Sequence, residues 1–231
     1  NCVAHILDPP YWDAILGNFH QAIWLTEHGF DLVQLLTKEP TYIHGGPQVY
    51  SLSVFPPLVA LLLVTVGPGG AMFLVLHLVQ IAAATGIAAV LYSTLKKKTS
   101  PPGALLGTLV FCCVPMTLSQ TSLINMELLP AVFCVTALPF LLRERYAPAF
   151  LLIFVGGLFK LSAIVPWFAL FLTVLFTSTL RLRRPQTLAA LLLLPALYFL
   201  NKVVYSLGPN SVAEASLELS VFLRPFVLWE R

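Results

Sequence analysis

Long stretches of this chain run for a dozen residues or more without a single Asp, Glu, Lys or Arg, among them the candidate spans Ala71 to Leu95, Ala104 to Leu118, Leu128 to Leu142, Pro148 to Phe159, Leu161 to Thr179 and Thr187 to Leu200. A soluble domain keeps about a quarter of its residues charged so that its surface can face water. Here only 10% of 231 residues are charged, 58% are hydrophobic, and the mean hydropathy is +0.87. Such a chain cannot solvate a surface of its own, and the sequence predicts an all-α, polytopic integral membrane protein. A helix needs about 20 apolar residues to cross the hydrocarbon. Several runs are shorter, which predicts tilted or thinly covered spans. Val221 to Trp229 is read as the start of a further one.

Charge orients the spans. Lys96-Lys97-Lys98, Arg143 with Arg145, and Arg181 with Arg183 and Arg184 fall in three separate short loops. Short basic loops stay cytoplasmic, and the runs supply two spans between each loop and the next. The opposite loops then hold Asn125 to Glu127, Lys160 and the Gly208-Pro209-Asn210 turn, and of ten acidic residues only Glu144 falls inside. The net charge of +3 is explained by these loops, so no nucleic-acid partner is implied. Cys112, Cys113 and Cys134 sit in apolar runs and Cys2 stands apart, which is not a disulfide framework.

The first helix of this set must start outside to bring Lys96 inside. Leu52 to Val66 is apolar but short and ends in Gly67-Pro68-Gly69-Gly70, so it is read as re-entering from the outer side. The chain then divides into 1–57, an extracytoplasmic loop, and 58–231, a transmembrane helical domain. A loop of roughly fifty residues is too long for a connector. Its apolar residues Ile15, Phe19, Ala22 and Ile23 recur at helical spacing, as in an amphipathic helix lying at an interface. Because the chain opens on Asn1 and no anchor precedes its polar opening stretch, it is expected to be a fragment lacking a first transmembrane helix and the C-terminal part.

Four of five histidines and five of ten acids lie in the first 44 residues. Any one of them could be an ordinary solvated loop residue. Glu127 and Lys160 differ, because each borders an apolar run with no opposite charge beside it in sequence. An ionisable group there costs several kcal/mol unless it is paired or wet; the alternative is that each snorkels alone. Asp8, Asp13, Glu127 and Lys160 all fall on the outer side, where they could share one cavity. A carboxylate near a low-dielectric pocket can serve as a general base. A second carboxylate can position the acceptor, and a lysine can neutralise a phosphate. Two carboxylates and a histidine could hold a divalent metal, though no spacing demands one.

With Asp13 preceded by Asp8, then Phe55-Pro56-Pro57-Leu58, Lys96-Lys97-Lys98 and Glu127 in that order, the chain resembles the GT-C superfamily of membrane glycosyltransferases. The likeness is to the branch of protein O-mannosyltransferases and the aminoarabinose transferase. Gly156-Gly157-Leu158-Phe159-Lys160-Leu161-Ser162 is similar to the family's Gly-Leu-x-x-x-Thr-Lys-Gly run, with Lys160 as the matching lysine. The likeness extends to about Pro166. It departs in Asp8 and Asp13 standing apart where the family has Asp-Glu, in Glu127 where it has Asp, and in Leu161 after the lysine.

The resemblance implies a GT-C-like helical bundle and an inverting glycosyltransferase at the plasma, inner or endoplasmic-reticulum membrane. It would move sugar from a polyprenyl-phosphate donor to a lipid, glycan or protein on the extracytoplasmic face. Asp13, Asp8 and Glu127 would be catalytic, and Lys160, His44 and Tyr50 would bind substrate. A transporter or flippase for a lipid-linked glycan is the first rival and a non-catalytic subunit the second.

Overall fold

The computed structural model describes residues 19–37, 53–114, 128–177 and 184–207, and these are helical almost throughout, with no strand among them. Helices α1 (His20–Glu27) and α2 (Leu32–Thr37) are short; α3 (Phe55–Val66), α4 (Gly70–Leu95) and α5 (Pro101–Cys113) follow. Next come α6 (Leu128–Leu142), α7 (Tyr146–Phe159), a 3-10 turn (Leu161–Ala163), α8 (Ile164–Thr177) and α9 (Pro185–Leu207). Each charge-free run expected to be helical contributes a helix. The ends are set by local chemistry. Pro56, Pro101 and Pro185 stand in first turns, where a missing N–H costs nothing. The Ser100 hydroxyl caps α5 by accepting from the Gly103 N–H at 3.4 Å. Gly67 and Gly69, at φ 83° and 134°, let the chain reverse between α3 and α4 in a way other residues resist.

The segment read as re-entering forms α3, a helix that takes in Phe55, Pro56 and Pro57 and so begins before residue 58. Two helices, α4 and the Pro185–Val203 part of α9, are long and apolar enough to cross a membrane. Helices α3, α5, α6, α7 and α8 with its preceding 3-10 turn are apolar but only 10–17 residues long; fifteen residues rise about 22 Å, against roughly 30 Å of hydrocarbon.

Contacts fix the directions of α4, α6, α7 and α9. The α6–α7 connection is only Arg143, Glu144 and Arg145, with Glu144 in the left-handed region at φ 57°, so the two helices form an antiparallel hairpin. Near its far end Gly156 faces the Pro130 backbone, and Phe133 stacks on Phe159 with centroids 5.7 Å apart. Helix α4 runs the same way as α6. Its first turns, at Met72 and Leu76, join Leu129 in a cluster with α1 and α3, and its later turns, at Ala83, Ile87 and Leu91, join Leu128, Val132 and Val135. Helix α9 lies along α7, with Leu194 against Gly157 and the Trp167 indole N–H donating to the Leu191 carbonyl at 3.1 Å.

The consequence is a bundle with two unlike ends. Lys96, Lys97 and Lys98 close α4, Arg143 and Arg145 flank the hairpin turn, and Arg184 precedes α9, so these six cations share one end. Arg181 and Arg183 lie outside the described residues. The other end holds the start of α6, the end of α7, and α1 packed on α3. Helix α1 corrects one expectation. Its buried residues are Gln21, Ala22, Trp24 and Leu25, with Phe19 buried just before it, while Ile23, assigned to the apolar face, is 43% exposed. The helix is covered on more than one side by neighbouring helices instead of lying with a single face on an interface.

Candidate functional site at the end of helix α7

Helix α7 breaks at Lys160. The lysine backbone is extended (φ −153°, ψ 130°), its N–H donates to the Gly156 carbonyl at 3.1 Å, and the chain restarts as the 3-10 turn. A helix leaves its last carbonyls without helical partners. Here two of them are taken by a segment about a hundred residues away in sequence. The Val54 N–H donates to the Leu158 carbonyl at 2.9 Å, and the Ser53 hydroxyl donates to the Phe159 carbonyl at 2.7 Å. The same hydroxyl accepts from the Phe55 N–H at 3.2 Å, at the entry to α3. Each such bond contributes about 1 kcal/mol net. The Phe55-Pro56-Pro57-Leu58 motif and the Gly156-to-Lys160 motif, far apart in sequence, therefore meet in one joint.

Beside this joint lies a cavity of about 530 Å³. It is walled by α2, the first turns of α3, Leu158 of α7 and Leu197 of α9, and its lining is apolar apart from Ser53 and Gln21. Gln21 reaches it from α1 and is itself 6% exposed.

Sequence reasoning nominated six residues. Lys160 stands half-buried at the break of α7. Asp8, Asp13, His44, Tyr50 and Glu127 lie outside the described residues. Leu128, which follows Glu127 in sequence, is buried against α4. Among the described residues no three His, Cys, Asp or Glu side chains lie together as metal ligands would.

The chain matches no family model, no curated protein and no solved structure.

Sequence reasoning passed over two further buried polar residues. His77 and Gln80, one turn apart on α4, are each 2% exposed. They fall between the part of α4 that meets α1 and α3 and the part that meets Leu128, level with the start of α6. The signal was available: a histidine and a glutamine three residues apart inside a 26-residue helix otherwise almost free of strongly polar groups. Burying two polar side chains in apolar surroundings costs several kcal/mol without partners, so their positions mark a polar spot in the bundle.

Proposed function

We propose that this chain is part of a polytopic, GT-C-like membrane glycosyltransferase. It moves sugar from a polyprenyl-phosphate donor to a lipid, glycan or protein acceptor on the extracytoplasmic face. The observation that supports the reading is the joint between Ser53-Val54 and Leu158-Phe159, which sets the Pro-Pro-Leu helix beside Lys160 and an apolar cavity. Lys160 follows Leu158, a wall residue of that cavity, by two positions, and a cation near apolar walls would suit a donor whose phosphate is charged and whose tail is hydrocarbon. The lysine neutralises phosphate charge as the sugar departs. Asp13, with Asp8 and Glu127, supplies the base that takes the acceptor proton, and His44 and Tyr50 line the acceptor side. Two carboxylates and a histidine among these residues would also suffice for a divalent metal.

The rival reading is a flippase for a lipid-linked glycan. What favours it is the buried His77–Gln80 pair within α4, since polar groups inside an apolar span mark transport paths as readily as active sites. One assay separates the two. The protein is reconstituted into proteoliposomes with radiolabelled sugar on polyprenyl phosphate, and both transfer to acceptor and movement of the donor between leaflets are followed. Transfer that falls roughly a hundredfold or more in Lys160→Gln and Asp13→Asn supports the glycosyltransferase. Donor movement without transfer overturns it in favour of the flippase.

A further inference from the structure

The end of the bundle away from Lys160 has no part in the chemistry proposed so far. It gathers Lys96, Lys97, Lys98, Arg143, Arg145 and Arg184, all exposed, against a single described acid, Glu144. At the opposite end the described charges balance, with Glu27 and Asp31 against Lys160 and Lys202. The cations arrive on three separate parts of the bundle, brought together because α4 and α6 end where α9, running the opposite way, begins. Lys96 stands over the Tyr92 ring, 5.9 Å from its centroid. The lysines also follow the C-terminus of α4, where the negative end of the helix dipole favours positive charge.

Within about two turns of these cations along the chain stand exposed leucines. Leu142 adjoins Arg143, Leu188 follows Arg184 by one turn, and Leu105 and Leu106 lie one turn into α5; all four are about half exposed or more. A water-borne anion or a nucleic acid would engage the cations and leave these leucines in water. A lipid with an anionic headgroup satisfies both, with its phosphate on the cations and its acyl chains along the leucines.

We propose that this end of the bundle is a binding surface for anionic phospholipid, held by Lys96, Lys97, Lys98, Arg143, Arg145 and Arg184. The inference rests on the membrane reading above. It adds a lipid partner on the face opposite the proposed donor site, and juxtamembrane clusters of this size attract anionic leaflets through simple electrostatics.

The test uses the whole chain purified in detergent and titrated with dioleoyl phosphatidylglycerol or dioleoyl phosphatidylcholine, with retained lipid counted by native mass spectrometry. The expected result is preferential retention of phosphatidylglycerol that weakens as salt is raised. In the triple variant Lys96→Gln, Lys97→Gln, Lys98→Gln the preference should fall by roughly fivefold per lysine, about a hundredfold in all. Lys202→Gln, at the other end, should leave it unchanged. Should the triple variant fail to fold, Lys97→Gln alone and the salt titration of the wild type decide the question in the same way.

Equal retention of the two lipids overturns the proposal. So does competition by soluble glycerol phosphate as effective as the lipid itself, which would mean a bare anion site, and so does tighter retention of an RNA oligonucleotide than of lipid. Extraction of membranes with alkaline carbonate keeps the two readings apart. Release of the chain sinks the membrane reading, whereas a chain that stays embedded yet holds both lipids equally sinks only this one.

Discussion

Helices α5 and α7 are nearly interchangeable by composition, and the fold uses them in opposite ways. Neither carries a charge, and both are dominated by Leu, Val, Phe, Gly and Ala. Helix α7 buries Tyr146, Ala149, Phe150, Ile153, Gly156 and Gly157, and neighbours cover it from α6, α8 and α9. Helix α5 buries only Ala104 and Thr108 and leaves Leu105, Leu106, Leu109 and Val110 facing outward. Hydrophobicity therefore chose which segments became helices but not which became central. What separates the two is where small residues sit. On α7 they let another backbone come close, as Gly156 does against Pro130 of α6.

The largest test of that contrast is Gly156→Val. A Cβ at Gly156 would meet the Pro130 carbonyl oxygen at 3.2 Å and its Cα at 3.3 Å, and backbone of α6 cannot turn aside as a side-chain tip can. A branched side chain there should destabilise the bundle by about 2–3 kcal/mol, seen as a lower thermal midpoint of the detergent-solubilised protein. A midpoint equal to the wild type's would mean that α6 and α7 do not approach as closely as described.

Next in size is Ser53→Ala. It removes the hydroxyl that bridges the Phe159 carbonyl and the Phe55 N–H while leaving the Val54–Leu158 bond in place. The expected cost is about 1 kcal/mol. Hydrogen exchange should report it locally, with faster exchange at Val54 and Phe55 and little change in α5. Uniformly faster exchange across the bundle would mean that the joint is not a separate feature but part of general packing.

Much of this architecture could be read before the contacts were known, and the reasons differ by region. Helix positions were legible because charge stops at their ends and Pro or Gly marks several boundaries. The basic end was legible because Lys96 to Lys98, Arg143, Arg145 and Arg184 each fall between apolar runs. Lys160 was singled out for standing alone among apolar neighbours, and it does mark the break of α7. The joint itself was not legible. It is made largely by backbone groups, which leave no trace in side-chain identity apart from Ser53. The face of α1 was misread because period alone assumes one covered side, and Trp24 is covered as well. Of the candidate site, Asp8, Asp13, His44, Tyr50 and Glu127 lie outside the described residues, so its chemistry rests on sequence order.

A smaller effect, of opposite sign, separates a glycine that packs from one that does not. A Cβ placed on Gly86 of α4 would meet nothing within 4 Å. Gly86→Ala should therefore recover helix propensity and stabilise by up to about 1 kcal/mol, where Gly156→Val destabilises. If the alanine instead lowers the thermal midpoint, that side of α4 is occupied by something other than solvent or lipid, and Gly86 joins the packing glycines.

The smallest expected effect probes α5 itself. Leu106 is 65% exposed and touches little of the bundle, so Leu106→Ala should change stability by no more than about 0.5 kcal/mol. The same truncation at a buried leucine, such as Leu194 at 1% exposure, should cost about 2–5 kcal/mol. Measuring both in detergent and again in lipid nanodiscs turns the pair into a ruler for the outer face of α5. A small loss at Leu106 in both media fits a face that meets hydrocarbon, since detergent and lipid tails solvate leucine alike. A loss above about 1 kcal/mol would mean that α5 is covered by protein, and the contrast with α7 would then be one between two interfaces, of which only one lies within the described bundle.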